Sequence, residues 1–117
     1  MSNLRNNVKL IGRVGIRPEK REVGNGYILT RFSIATNEST KDKVTGEWKN
    51  NTTWHNVLAW GKTAERICMQ LDKGSEVAIE GKLVSKTYES KDGVKRTNID
   101  IEISDFVSMG NKVESRK

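Results

Sequence analysis

Apolar and polar residues alternate along most of this chain with the two-residue period of half-buried β-strands. In NVKLIGRVG, Val8, Leu10, Gly12 and Val14 share one side, opposed by Lys9, Ile11 and Arg13. Arg17-Pro18-Glu19 interrupts the run. After REV, the glycines of GNG predict a turn, and YILTRFSIAT resumes the alternation with Ile28, Thr30, Phe32, Ile34 and Thr36 together. TTWHNVLAW puts Trp54, Asn56, Leu58 and Trp60 on one side and His55, Val57 and Ala59 on the other, and SEVAIEGKLV does the same for Val77, Ile79, Gly81 and Leu83. One stretch is helical: in TAERICMQL, Ala64, Ile67, Cys68 and Leu71 fall at i, i+3, i+4 and i+7, with Thr63 as the expected N-cap, Glu65 in the first turn and Asp72-Lys73-Gly74 as the stop.

The segment KLVSKTYESKDGVKRTNIDIEI reads as two strands about Lys91-Asp92-Gly93. A two-residue Asp-Gly turn would put Tyr88 and Lys86 on the face of Ile99 and Ile101. A three-residue turn with Gly93 left-handed instead pairs Tyr88 with Arg96, Lys86 with Asn98 and Leu83 with Ile101, separating apolar from basic positions, and is preferred on that ground. Residues 39–50, STKDKVTGEWKN, are polar without a period and predict a long exposed loop or a flexible hairpin. The expectation is an all-β fold, a five-stranded OB-type barrel with one short helix between strands 3 and 4. Residues 1–108 form the expected domain and 109–117 a short basic tail.

Val8, Leu10, Val14, Phe32, Ile34, Val77, Ile79, Leu83, Ile99, Ile101 and Ile103, with Ile67 and Leu71 of the helix, supply a complete aliphatic core. Val57 and Ala59, being small, suit a crowded interior, which turns Trp54 and Trp60 outward. Large aromatics more often fill a core, so an outward pair needs a partner with flat faces. Nucleobases are such partners, at roughly 1–3 kcal/mol per stacked base whatever the sequence. Tyr88 with Lys82, Lys86 and Arg96 on the neighbouring hairpin adds a ring for bases and cations for phosphates, and Asn56 between the tryptophans can hydrogen-bond a base edge or sugar.

Composition narrows the classes. A chain of 117 residues has room for one core, and its formal charge of +6 favours a polyanionic partner. Cys68 and His55 are single copies, so neither an internal disulfide nor a cysteine-based zinc set can form, and His55 lacks a nucleophile or carboxylate at motif spacing. No catalytic residue, metal ligand or cofactor is expected. Cys68 reads as a small core hydrophobe, and His55 as a packing or subunit-contact residue. No apolar run approaches a membrane span and MSNLRNNVKL lacks a signal-peptide stretch, which points to the cytoplasm.

The ordered runs N-x-V-x-L-x-G-x-x-G from Asn6, W-H-x-V-x-x-W-G-K-x-A-E from Trp54 and K-G-S-x-V-x-I-E-G from Lys73 resemble the bacterial-type single-stranded DNA-binding proteins (SSB) over roughly residues 4–107. The resemblance implies an OB-fold subunit of a homotetramer, a dimer of dimers, that binds single-stranded DNA in replication, recombination and repair. Trp54, Trp60 and Tyr88 match stacking positions, and Lys43, Lys62, Lys73 and Arg96 match basic positions on the DNA path. His55 matches an interface histidine, and the strand around Val8 and Leu10 matches the edge where two barrels pair. Thr40 stands where the family commonly has another stacking tryptophan; Trp48, later in the loop, is a substitute ring or a packing one. The closing MGNKVESRK holds three basic residues against one acidic, unlike the family's acidic recruiting tail. Tail-mediated recruitment of replication or repair enzymes is therefore not expected, and the chain reads as a truncated or tail-less member. Its alternatives are a dimeric primosomal OB protein acting through protein partners and an RNA-binding OB module.

Overall fold

The computed structural model describes residues 5–110. Its elements are β1 (Val8–Val14), β2 (Glu19–Val23), β3 (Tyr27–Lys41), β4 (Trp48–Trp60), α1 (Gly61–Gln70), β5 (Glu76–Glu89) and β6 (Lys95–Gly110). The strands form one six-stranded sheet in the order β1-β5-β6-β4-β3-β2, and a further pairing of β1 with β3 closes the first five of them into a ring. Five strands thus make the expected ring, with α1 between the third and fourth of them. The sixth strand, β2, is additional: it pairs with β3 outside the ring, in register from Glu19↔Arg31 to Val23↔Tyr27. Antiparallel pairing dominates, and β4 meets β6 in a short parallel contact at Val57↔Ile101 and Leu58↔Glu102.

Alternation places the core inside this ring. Val14, Phe32, Ile34, Val57, Ala59, Val77, Ile79, Ile101, Ile103 and Phe106 join Ala64, Ile67 and Leu71 of the helical segment in one buried cluster, with Val8, Leu10 and Ile28 packed against it. Two residues assigned to the core lie outside it: Leu83 and Ile99 are exposed, because the β5–β6 hairpin continues past the ring, where no layer of the described residues covers it. Phe106 was not expected in the core. The register of β5 with β6 shifts between Glu80 and Gly81, leaving Ser104 as an extra residue whose hydroxyl donates to the Glu80 carbonyl oxygen at 3.0 Å. That bulge moves the inward positions from Ile101 and Ile103 to Phe106, over whose ring the Arg66 guanidinium lies at 4.9 Å.

The three-residue turn forms as expected. Tyr88 pairs with Arg96, Lys86 with Asn98 and Leu83 with Ile101, and Gly93 takes a positive φ of 81° and donates to the Ser90 carbonyl oxygen at 2.9 Å. Residues 39–50 resolve into the hairpin alternative, since β3 and β4 stay paired out to Lys41↔Trp48. Asp42 organises the tip: its carboxylate accepts from the Val44 N–H at 2.8 Å and the Thr45 N–H at 3.3 Å. These donors favour the ionised form and hold its pKa below the ordinary carboxylate value.

The helix begins earlier than expected. Trp60 is the N-cap, without a side-chain cap, so Thr63 does not cap it and Glu65 lies beyond the first turn. The stop is where expected: Asp72 N–H donates to Ser75 Oγ at 2.9 Å, and Ser75 N–H to the Asp72 carbonyl oxygen at 3.0 Å. Cys68 is only half-buried and lines a surface hollow with Arg17, Pro18, Glu19 and Lys20, outside the core cluster. β6 runs on to Gly110, and the segment read as a basic tail lies, from residue 111 on, outside the described residues.

Candidate nucleic-acid interface

Strand register defines the face opposite the core. On β4 that face carries Trp54, Asn56, Leu58 and Trp60, which stand opposite Ala35, Ser33, Arg31 and Leu29 of β3. Across the parallel contact the face continues onto β6 and then β5, so that Arg31, Leu58, Glu102 and Lys82 form one cross-strand row. Farther along the hairpin the same side holds Lys86 beside Asn98 and Tyr88 beside Arg96.

The rings on this face are accessible: Trp54 is 61% exposed, Tyr88 46% and Trp60 40%. Trp54 rests on glycine. A Cβ placed on Gly15 would come within 2.5 Å of Trp54 Cζ3 and 2.6 Å of Ser33 Oγ, so the missing side chain is the seat of the indole. Leu58, unlike the other β4 residues of this face, is buried although its parity faces outward, as are Leu29 and Ala35 opposite Trp60 and Trp54. Arg31 reaches across β4 to Asp100 on β6, with Nη1 and Oδ2 3.4 Å apart, and this clasp roofs the strand that carries Leu58.

Beyond Val57↔Ile101 the hairpin diverges from β4 and a groove of about 460 Å³ opens, lined among others by Ile16, Ser33, Asn56, Asn98 and Asp100. Trp54 and Asn56 belong to the strand on one side of it, Lys86, Tyr88 and Arg96 to the hairpin on the other. The electrostatics are mixed, since Asp100 partly neutralises Arg31 and Glu102 faces Lys82.

Of the residues singled out from the sequence, Trp54, Asn56, Trp60, Lys82, Lys86, Tyr88 and Arg96 share this outer face. Lys62 lies in the first turn of α1, two residues after Trp60. Lys73 follows the other end of the helix, about 15 Å away at the usual rise. Lys43 and Trp48 sit at the β3–β4 hairpin tip, about 20 Å along the strand from Trp54 at the ~3.4 Å antiparallel rise. Trp48 is exposed there, away from the core. His55, Val8 and Leu10 lie on the core side of their strands; His55 is half-buried, its Nε2 3.0 Å from Thr36 Oγ1. Sequence reasoning missed Arg31, whose outward parity on β3 was available, and Gly15, which entered only as the closing glycine of the N-x-V-x-L-x-G-x-x-G run with no role attached. Among the described residues, no cluster of His, Cys, Asp and Glu fit to hold a metal occurs, and no helix is long and apolar enough to cross a membrane.

Residues 5–109 match the family model described as the single-strand binding protein family. The chain is 39% identical over 110 residues to the single-stranded DNA-binding protein of Neisseria meningitidis, serogroup A, covering 94% of this chain and 63% of that protein. It is 38% identical to single-stranded DNA-binding protein 1 of Chlorobaculum tepidum, covering 92% and 66%. The chain thus spans less than two thirds of the length of these relatives. Among solved structures, a Plasmodium falciparum SSB in complex with ssDNA superposes with a TM-score of 0.83 at 28% identity, covering 94% of this chain and 99% of that one. A deletion mutant of the single-stranded DNA binding protein from Thermus aquaticus shares the fold, with a TM-score of 0.79 at 24% identity over 92% of this chain and 51% of the other.

Proposed function

This chain belongs to the single-strand binding protein family, and from that premise we propose that it binds single-stranded DNA without sequence preference, as a binding protein and not an enzyme. The observation that carries the reading is the row of exposed rings on a face whose core is already filled from the other side. Bases stack on Trp54, Trp60 and Tyr88, with Asn56 placed to hydrogen-bond an edge. Lys62, Lys82, Lys86 and Arg96 take phosphates along the strand, and Trp48 with Lys43 extends the path at the hairpin tip. Stacking accepts every base because each has a π-face, while paired bases hide theirs, so duplex is disfavoured.

For assembly we draw on two further surfaces. Among the described residues, β1 pairs along Val8–Ile11 with β5 alone, since its pairing with β3 is confined to Arg13 and Val14. A second copy can therefore add its own β1 to that edge. Ile11, Ala78 and Val107 form a cross-strand row on the outer side of β1, β5 and β6, with Ile11 and Val107 about 60% exposed. One edge and one apolar face suffice to build a dimer of dimers. His55 contributes to the subunit contact in this reading.

Tryptophan fluorescence titrated with oligo-dT tests the binding. Quenching is expected, weakening as salt rises by about 0.7 log units per log unit of salt for each phosphate neutralised; no quenching, or equal affinity for duplex or matched RNA, overturns the reading. Sedimentation with and without the oligomer is expected to show a tetramer, and a persistent dimer would favour the partner-directed alternative.

A further inference from the structure

The sixth strand extends the same outer face beyond the tryptophans. In register, Arg21 of β2 stands opposite Leu29 of β3, which stands opposite Trp60 of β4. Tyr27 has the parity of Leu29 and begins β3, so it is a diagonal neighbour of Trp60 at about 7–8 Å between backbones. It is 64% exposed, more than any of the three rings already assigned to stacking. Between β2 and β3 a hollow of about 270 Å³ is lined by Glu19, Lys20, Arg21, Leu29 and Arg31, three cations to one carboxylate around an apolar floor.

We propose that the DNA track continues over β3 onto β2, with Tyr27 as a further base-stacking platform and Arg21, at the hollow, holding the adjoining phosphate. The inference rests on the single-stranded DNA reading above and enlarges the site by the one or two nucleotides that this face accommodates. An exposed tyrosine at the start of an edge hairpin has little structural work there. Charges on an edge strand also guard against unwanted strand addition, which explains Lys20 and Glu22 but not an arginine in the row of Trp60 with a ring diagonal to it.

The test is a titration of the full chain with oligo-dT of increasing length, for the wild type, Tyr27→Ala, Tyr27→Phe and Arg21→Gln. Tyr27→Ala is expected to weaken binding of the longer oligomers by about five- to 150-fold, the range of one lost stack, and to leave the shortest binding oligomers unaffected. Tyr27→Phe restores the loss. Arg21→Gln flattens the salt dependence by about 0.7. If the wild type binds while Tyr27→Ala and Arg21→Gln match it at every length and salt concentration, the extension is wrong and the DNA reading stands. An equal loss at all lengths that Tyr27→Phe does not restore marks a structural role and also overturns the extension. A wild type that binds no oligomer removes both.

Discussion

Replacing Gly15 by alanine displaces Trp54 without removing it. The Gly15 N–H is tied to the Ser33 carbonyl oxygen at 2.8 Å, so the backbone holds its place and the new methyl meets the indole at 2.5 Å from Cζ3 and 3.1 Å from Cη2. Carbon atoms settle at about 3.5–4.0 Å, which drives the ring outward by about 1 Å. A gap of that size forfeits about a quarter to a half of a contact's energy. Applied to a stack worth ~1–3 kcal/mol, this is about 0.3–1.5 kcal/mol, or 1.5- to 12-fold in affinity. The fold is expected to lose no more than about 1 kcal/mol, the low end for overpacking, because the outer side of the ring is solvent. Titration with oligo-dT reads the affinity, the tryptophan emission spectrum reads the altered seat, and thermal melting reads the fold. Unchanged affinity together with unchanged emission would refute the reasoning that the Gly15 seat aims Trp54 at its base.

Trp54→Ala removes the platform itself and is expected to weaken oligo-dT binding about five- to 150-fold, with the far-ultraviolet circular dichroism retained; loss of the fold would return Trp54 to a core role. Asp100→Asn frees Arg31 from an ion pair worth about 0.2–1 kcal/mol, so single-stranded DNA affinity rises up to about fivefold and the salt dependence steepens, checked by the same titration across salt concentrations. Among the described residues Thr30 Oγ1 is buried without a hydrogen-bond partner; Thr30→Val removes it at nearly constant shape and is expected to stabilise the fold by about 1 kcal/mol in denaturant unfolding. Asp42 has a depressed pKa in the fold, so its contribution to the hairpin tip is fully present above the ordinary carboxylate range and is lost as pH falls through the lowered value. The amide resonances of Val44 and Thr45 therefore hold their native shifts until the pH drops below that range.

Period-two patterning made most strands legible, and the choice of the three-residue Gly93 turn, made to separate apolar from basic positions, set the β5–β6 register that the fold adopts. The same logic failed where a local irregularity changed the parity, as at Ser104, which brings Phe106 inward from a polar neighbourhood. It also overfilled the core: Leu83 and Ile99 have inward parity, but the hairpin arm carrying them outruns the ring, and how far an arm projects is not written in its alternation. On the candidate interface, the shared side of Trp54, Asn56 and Trp60 followed from one strand alone. The clasp from Arg31 to Asp100 joins residues 69 apart in sequence through a strand order that no local pattern encodes. The turn at GNG was legible, yet the place of β2 outside the ring depends on which edge of β3 the ring leaves open.

The most direct test follows the indole Nε1–H resonances of the isotopically labelled chain as oligo-dT is added. Trp54 and Trp60 are expected to shift strongly, together with the amides of Asn56 and Asn98, while those of the row Ile11, Ala78 and Val107 hold still. Tight binding that leaves both indoles unmoved, or whose shifts gather on the Ile11 face, would contradict the claim that the outer side of β4 is where a single strand of DNA lies.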